Sequence, residues 1–173
     1  MWNSMMFMMG TETSPDGSTA GGTPWQEGEY GVVVCVWVYD GCGHLLLTRR
    51  AKGKSFAGTW ENSGGAVQMG ETSRQAIARE LFEETGIQAD PEEFELLDTD
   101  LEKNIFYDHY CLKRKIGLKD IVLQPGETDD VMWASFGKVH WMAKSGKICK
   151  IIASQFKRQE QALRLRNVPK FNR

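Results

Sequence analysis

Residues 65–87 read GAVQMGETSRQAIARELFEETGI, a stretch that carries both the clearest helix signal in the chain and its densest chemistry. The spacing predicts a helix over residues 72–86. Thr72 stands where an N-cap belongs, Gln75 follows as its capping-box partner, and Gly86 suits the left-handed position past the last turn. Ala76, Ile77, Ala78, Leu81 and Phe82 supply the apolar side chains that pack inward. A helix turns about 100° per residue, so Glu83 and Glu84 each fall within roughly 60° of Glu80, and the three span an arc of about 100°. Like charges at that spacing repel, and Arg79, four residues before Glu83, offsets only part of the repulsion. A solvated acidic face is the plain reading of three glutamates alone. In a concave site the cluster instead suits a hard divalent cation, because Mg2+ and Mn2+ favour carboxylate, carbonyl and water oxygens. Such an ion withdraws charge from a phosphate while a carboxylate helps to deprotonate the attacking water.

Outward from this helix, residues 30–39 form a β-branched and aromatic run (Val32, Val33, Val34, Val36, Trp37, Val38) that reads as a buried strand. Asp40, Gly41, Cys42 and Gly43 are turn residues, and Leu45, Leu46, Leu47 and Thr48 make the return strand of a hairpin. A loop over residues 49–58 leads to a short extended piece at Trp60 and a further short strand at Ala66 and Val67. Strands are expected over residues 94–101, 104–114, 121–123 and 131–133, and helices over 136–144 and 150–165. This mixture, with adjacent hairpins, predicts an α+β or mixed α/β fold rather than a doubly wound sheet. Residues 10–29 have the Gly, Thr, Ser and Pro content of a linker. The expected organisation is a flexible N-terminal extension over 1–29 and one folded domain over 30–173.

The composition agrees with a single core: 173 residues, 41% hydrophobic and 25% charged. There is no apolar run of roughly 18 residues or more, which excludes an ordinary transmembrane helix, and no membrane partner is expected. The Met-rich residues 1–9 contain no Lys or Arg to form the basic region of a secretory signal. Cys35, Cys42, Cys111 and Cys149 have neither C-x-x-C nor zinc spacing and read as reduced thiols in a cytoplasmic protein. The formal net charge of -2 conceals an asymmetry: residues 61–130 hold 17 acidic and 7 basic side chains, residues 138–173 hold 1 acidic and 10 basic. The acidic middle suits cations. The basic end, interleaved with Ile148, Ile151, Ile152, Phe156 and Leu163, reads as an amphipathic helix docked on the sheet, with no obligate nucleic acid.

Gly65, Glu71, Arg79, Glu80, Leu81, Glu83, Glu84, Gly86 and Ile87 together resemble the Nudix box, the signature of the Nudix hydrolases (MutT-type enzymes), with every defining position filled. The resemblance implies an α/β/α sandwich around a mixed β-sheet, with the box as a loop–helix–loop. It implies a hydrolase that uses Mg2+ or Mn2+ to cleave a small-molecule diphosphate, typically a nucleotide derivative, in a chain that can pair as a homodimer. By the matching positions, Glu80 and Glu84 are the principal metal ligands, Glu83 a further ligand or water activator, and the Gly65 carbonyl part of the metal's shell. Arg79 orients the glutamates, and Glu71 bonds within the loop.

The likeness extends past the box. Arg50, at the end of the strand before the loop, matches a position where an arginine contacts substrate phosphate; a surface arginine is the ordinary alternative. Trp60 either stacks on a base or packs under the loop, and Glu127 stands where many members carry a catalytic or metal-binding glutamate. Lys54, in Gly53-Lys54-Ser55, lacks the rest of a phosphate-binding P-loop and reads as a mobile surface lysine, with a contact to phosphate as the alternative. Asn62 and Ser63 before Gly64 and Gly65 depart from nucleotide-sanitising members and resemble isopentenyl-diphosphate isomerase, whose loop cysteine is absent here. An isomerase-like enzyme and a non-catalytic nucleotide-sensing Nudix protein are therefore the alternatives to hydrolysis; the intact box favours hydrolysis over both.

Overall fold

The computed structural model describes residues 30–167, so the extension expected over residues 1–29 lies outside the described residues. The first strand, β1 (Gly31–Tyr39), sits in the middle of a seven-stranded mixed sheet. Its alternation is the sandwich in miniature. Val34, Val36 and Val38 enter one core beneath helix α1 (Ser73–Thr85), whereas Trp37 and Tyr39 enter a second core beneath α2 (Phe136–Lys144) and α3 (Lys150–Arg166). Fully burying each of these larger side chains contributes about 1.5–3 kcal/mol, so β1 anchors both layers at once.

The expected hairpin opens as soon as it forms. β1 meets β2 (His44–Arg50) at one register pair, Tyr39 with Leu45, and the two strands then diverge. β1 runs parallel to β6 (Ile105–Lys113) along its whole length, with β5 (Glu95–Glu102) antiparallel outside it, while β2 pairs with β7 (Thr128–Ser135). The opening between β1 and β2 is filled by β3 (Trp60–Glu61) against β2 and β4 (Ser63–Ala66) against β1. The segment leading into the box is thereby clamped at the centre of the sheet instead of hanging from its edge. The strand expected at Ala66 and Val67 begins earlier and ends at Ala66, because Ser63, Gly64, Gly65 and Ala66 pair with Val36, Cys35, Val34 and Val33 of β1.

The strand expected over residues 121–123 is absent. The last carbonyls of α1 have no partner inside the helix, and the Val122 and Gln124 amides reach them instead, bonding Thr85 O at 3.0 Å and Glu84 O at 3.3 Å. A backbone committed to capping a helix cannot also join a ladder. This capping brings the turn around Glu127 to the end of the box helix, and β7 begins only at Thr128. Among the described residues no helix is long and apolar enough to cross a membrane.

Candidate active site

The box helix is defined by its caps. The Thr72 side chain accepts from the Gln75 amide, the Gln75 Oε1 accepts from the Thr72 amide at 2.8 Å, and Gly86 takes the left-handed conformation with φ 70°. Ile77 and Leu81 bury the inner face, which turns the row of glutamates along one flank toward β4. There Gly65 lies opposite Val34, and a Cβ on it would collide with the carboxylate of Glu80. Gly64 is tight for a different reason, since a Cβ there would strike the Val34 carbonyl and the Cys35 backbone. One glycine admits the Glu80 side chain; its neighbour admits a strand.

Arg79 is the hub of the site. Its Nε and Nη2 donate to the two oxygens of Glu71 at 2.7 and 3.0 Å, Nη1 donates to Glu80 at 2.7 Å and to Glu83 at 3.2 Å, and Nη2 also reaches the Ala66 carbonyl at 3.1 Å. A fork of five donors is the side chain suited to this, because a lysine has neither the reach nor the plane. Glu71 accepts the Gln68 amide as well, at 3.0 Å, and its pKa is lowered, first by its bonds to Arg79. Glu80 behaves oppositely: burial raises its pKa, and Arg79 offsets only part of that.

Glu84 is the outlier. Burial pushes its pKa to about 8, with Glu61 and Glu80 adding to the rise, while the Ser63 hydroxyl and the Gly64 amide lower it by hydrogen bonding. Its Oε2 is shut off from solvent and has no hydrogen-bond partner among the described residues. An unsatisfied buried carboxylate oxygen is expensive. The carboxylates that bear on Glu84, Glu61 and Glu80, offer oxygen, and a hard divalent cation suits oxygen donors, with Glu80, Glu83, Glu84 and the Gly65 carbonyl as the candidate ligands. Among the described residues no three acidic, His or Cys side chains form a ready cage, and Glu80 and Glu83 are turned to Arg79.

The remaining candidates fall around this centre. Arg50 lies on the helix side of the sheet, but its Nη1 donates to both oxygens of Glu61, at 2.7 and 2.8 Å. Glu127 lies beside the capping turn with its Oε2 2.6 Å from Lys54 Nζ. Lys54 is therefore not the mobile surface lysine expected: the turn that caps α1 brings a carboxylate to it, and its side chain is only 20% exposed. Of the two placements expected for Trp60, the ring takes the one under the loop. It is 9% exposed, packed in the α2 and α3 core, with backbone bonds to Lys147 and Cys149. The thiol nearest the glycine loop is Cys35, opposite Gly64. It faces the far side of the sheet, 2.9 Å from His109 Nδ1, and burial raises its pKa to about 12. It does not replace the loop cysteine that an isomerase needs.

Sequence reasoning missed Glu61 and Ser63. Both sit on the short β3–β4 segment, where alternation sends residues 61 and 63 to the glutamate face and residues 60, 62 and 64 to the other. That alternation, counted from the core tryptophan, is the signal that would have found them.

The comparisons agree with this geometry. Residues 29–150 match the family model of the NUDIX domain. An uncharacterized Nudix hydrolase of Listeria innocua is 31% identical over 122 residues, spanning 69% of this chain and 72% of that protein. The 8-oxo-dGTP diphosphatase of Escherichia coli K12 is 44% identical over 54 residues, 31% of this chain and 40% of that enzyme. The crystal structure of the MutT protein from Methanosarcina mazei Go1 superposes with a TM-score of 0.60 at 24% identity, covering 77% of this chain and 94% of that one, a likeness of fold. With the family model covering most of the chain and a complete box folded on α1, the protein belongs to the Nudix hydrolase family.

Proposed function

We propose that the protein is a metal-dependent pyrophosphohydrolase, cleaving a nucleoside-diphosphate-linked or similar small-molecule diphosphate by attack of an activated water. One observation carries the reading: on a box with every position filled, Glu84 keeps a buried carboxylate oxygen that no described protein group satisfies. Glu80, Glu83, Glu84 and the Gly65 carbonyl would hold Mg2+ or Mn2+. When bound, the ion supplies Lewis-acid withdrawal of charge from the diphosphate and acidifies a coordinated water. Arg79 holds Glu80 and Glu83 in register and braces the loop through Glu71. Glu83, the most exposed carboxylate of the box at 43%, and Glu127, 38% exposed, would be the two candidates to take the water's proton. Arg50 presents the guanidinium that suits a substrate phosphate. The E. coli relative, named for a nucleotide diphosphatase activity, supports a nucleotide-derived substrate. A cytoplasmic setting belongs to the same reading, in keeping with four free cysteines.

The test is direct product detection on a panel of nucleoside di- and triphosphates, dinucleoside polyphosphates and nucleotide sugars with Mg2+. Glu80→Gln and Glu83→Gln should each lower turnover by roughly 10²- to 10⁴-fold with the melting temperature little changed. Full activity in both variants defeats the assignment.

A further inference from the structure

The layer on the far side of the sheet from the box helix carries an unopposed positive surface. Between Asp130 and Glu160 the chain has no acidic residue and six basic ones, Lys138, Lys144, Lys147, Lys150, Lys157 and Arg158. They lie on α2, on α3 and in the turn between them. Val139 and Met142 bury the inner face of α2, which leaves Lys138, Trp141 and Lys144, three residues apart, along its outer ridge. Trp141 is 53% exposed, and the Lys147 ammonium stands 4.7 Å from the centre of its ring. α3 then begins with Lys150 and the half-exposed Ile151.

The fold makes no use of these lysines. Lys138, Lys144, Lys147 and Lys150 form no ion pair among the described residues, whereas every described arginine is paired. The acids at the two ends of the stretch are already taken, Asp129 and Asp130 by Arg49, and Glu160 by His140 and Arg164. Lys150 opens α3, where positive charge opposes the helix dipole, and no acidic residue in that first turn offsets it. A lone exposed aromatic or a solvated lysine is ordinary. Here the indole, the ammonium over it and the unopposed charges share one ridge.

We infer that the outer face of α2, with the turn after it and the start of α3, docks reversibly on an anionic phospholipid surface. An indole settles at the headgroup level, and lysines lay their stems on the apolar boundary while the ammonium groups reach lipid phosphate. Nucleic acid, the other polyanion, is recognised through planar arginine forks, and those of the described residues are all engaged. The contact is peripheral, since no described helix is long and apolar enough to cross a membrane. It revises the expectation of no membrane partner. α2 and α3 cover the face of the sheet away from α1, so docking leaves the carboxylate site turned to solvent. The inference goes beyond the pyrophosphohydrolase reading and does not depend on it.

Flotation of the full chain with vesicles tests it, using phosphatidylcholine alone and phosphatidylcholine with phosphatidylglycerol in equal parts. Binding is expected to the mixed vesicles only, weakening as salt rises. Each lysine near such a surface strengthens partitioning about fivefold, so Lys144→Gln/Lys147→Gln should weaken it about 10- to 30-fold. Trp141→Ser should weaken it about five- to tenfold. Lys115→Gln/Lys119→Gln makes the same change of charge on the segment that packs toward α1 through Ile116, and should alter binding by about twofold at most. No binding to the mixed vesicles overturns the inference. So does an equal loss in the two lysine pairs, which would be a general effect of charge. Polyuridylate that strips the wild type from the vesicles at equal phosphate concentration overturns it in favour of nucleic acid. Should Trp141→Ser lower the melting temperature, the exposed pair Lys144 and Lys147 decides alone.

Discussion

Arg79 grips Glu71 by two parallel hydrogen bonds, 2.7 Å from Nε and 3.0 Å from Nη2, eight residues apart in sequence and across the entry to the box helix. The same guanidinium also holds Glu80 and Glu83, so three carboxylates depend on one plane of donors. Arg79→Lys retains the charge and loses the fork. We expect a roughly 10- to 100-fold loss of metal affinity or turnover. Metal titration by calorimetry checks this, and unchanged affinity would mean that the glutamates hold their places unaided.

Glu84 makes the metal-free protein sensitive to pH. Its carboxyl titrates at about 8 in the fold against an ordinary 4.5, so the folded state binds this proton more tightly than the unfolded chain does. The associated stability is fully present below the unfolded value and is lost as pH rises through the folded one. Glu71 and Glu93, whose pKa values are lowered, Glu93 to about 2, act in the opposite sense and only in more acidic solution. His109, whose pKa burial depresses, acts within the window, so the comparison must be with a variant. Metal-free Glu84→Gln should exceed the wild type in stability by a few kcal/mol near pH 8, with the difference fading toward pH 5. Denaturant melts at several pH values would reveal a flat difference if Glu84 is in fact well solvated.

The two glycines before the box should answer differently to the same methyl group. Gly65→Ala displaces the flexible end of Glu80, so the fold survives and metal affinity drops about tenfold or more. Gly64→Ala presses on the Val34 carbonyl and the Cys35 backbone, which cannot yield cheaply, and should cost about 1–3 kcal/mol of stability. Thermal melts beside metal titrations of both variants would expose any reversal of these roles.

A core substitution away from the site provides the contrast. Trp37 Nε1 donates to Gln159 Oε1 at 2.8 Å beneath α3, and the Gln159 Nε2 has no partner among the described residues. Trp37→Phe leaves that amide wholly unpaired and should lower stability by about 1–3 kcal/mol while kcat stays unchanged. A change in kcat with an unaltered melting curve would show that this layer reaches the chemistry.

What the sequence determined by itself is local. The helix over the box was legible because its caps, Thr72 with Gln75 and then Gly86, lie within bonding reach along one segment, and 3.6-residue periodicity places the glutamates on one flank without reference to anything else. The buried strand at β1, a near-continuous β-branched run, and the two helices after residue 135 were legible for the same reason, while the division of β1 between two cores was not. Beyond the Arg79 and Glu83 pair of the box helix, tertiary structure alone decided which partner each carboxylate meets. Register between β4 and β1 sets Gly65 against Glu80. The need of the α1 carbonyls for donors turns residues 121–124 from a strand into a cap and carries Glu127 to Lys54. Pairing of β3 with β2 aims Glu61 at Arg50. These contacts join residues distant in sequence or set by strand pairing, and their energies depend on burial that no single segment possesses before the sheet closes.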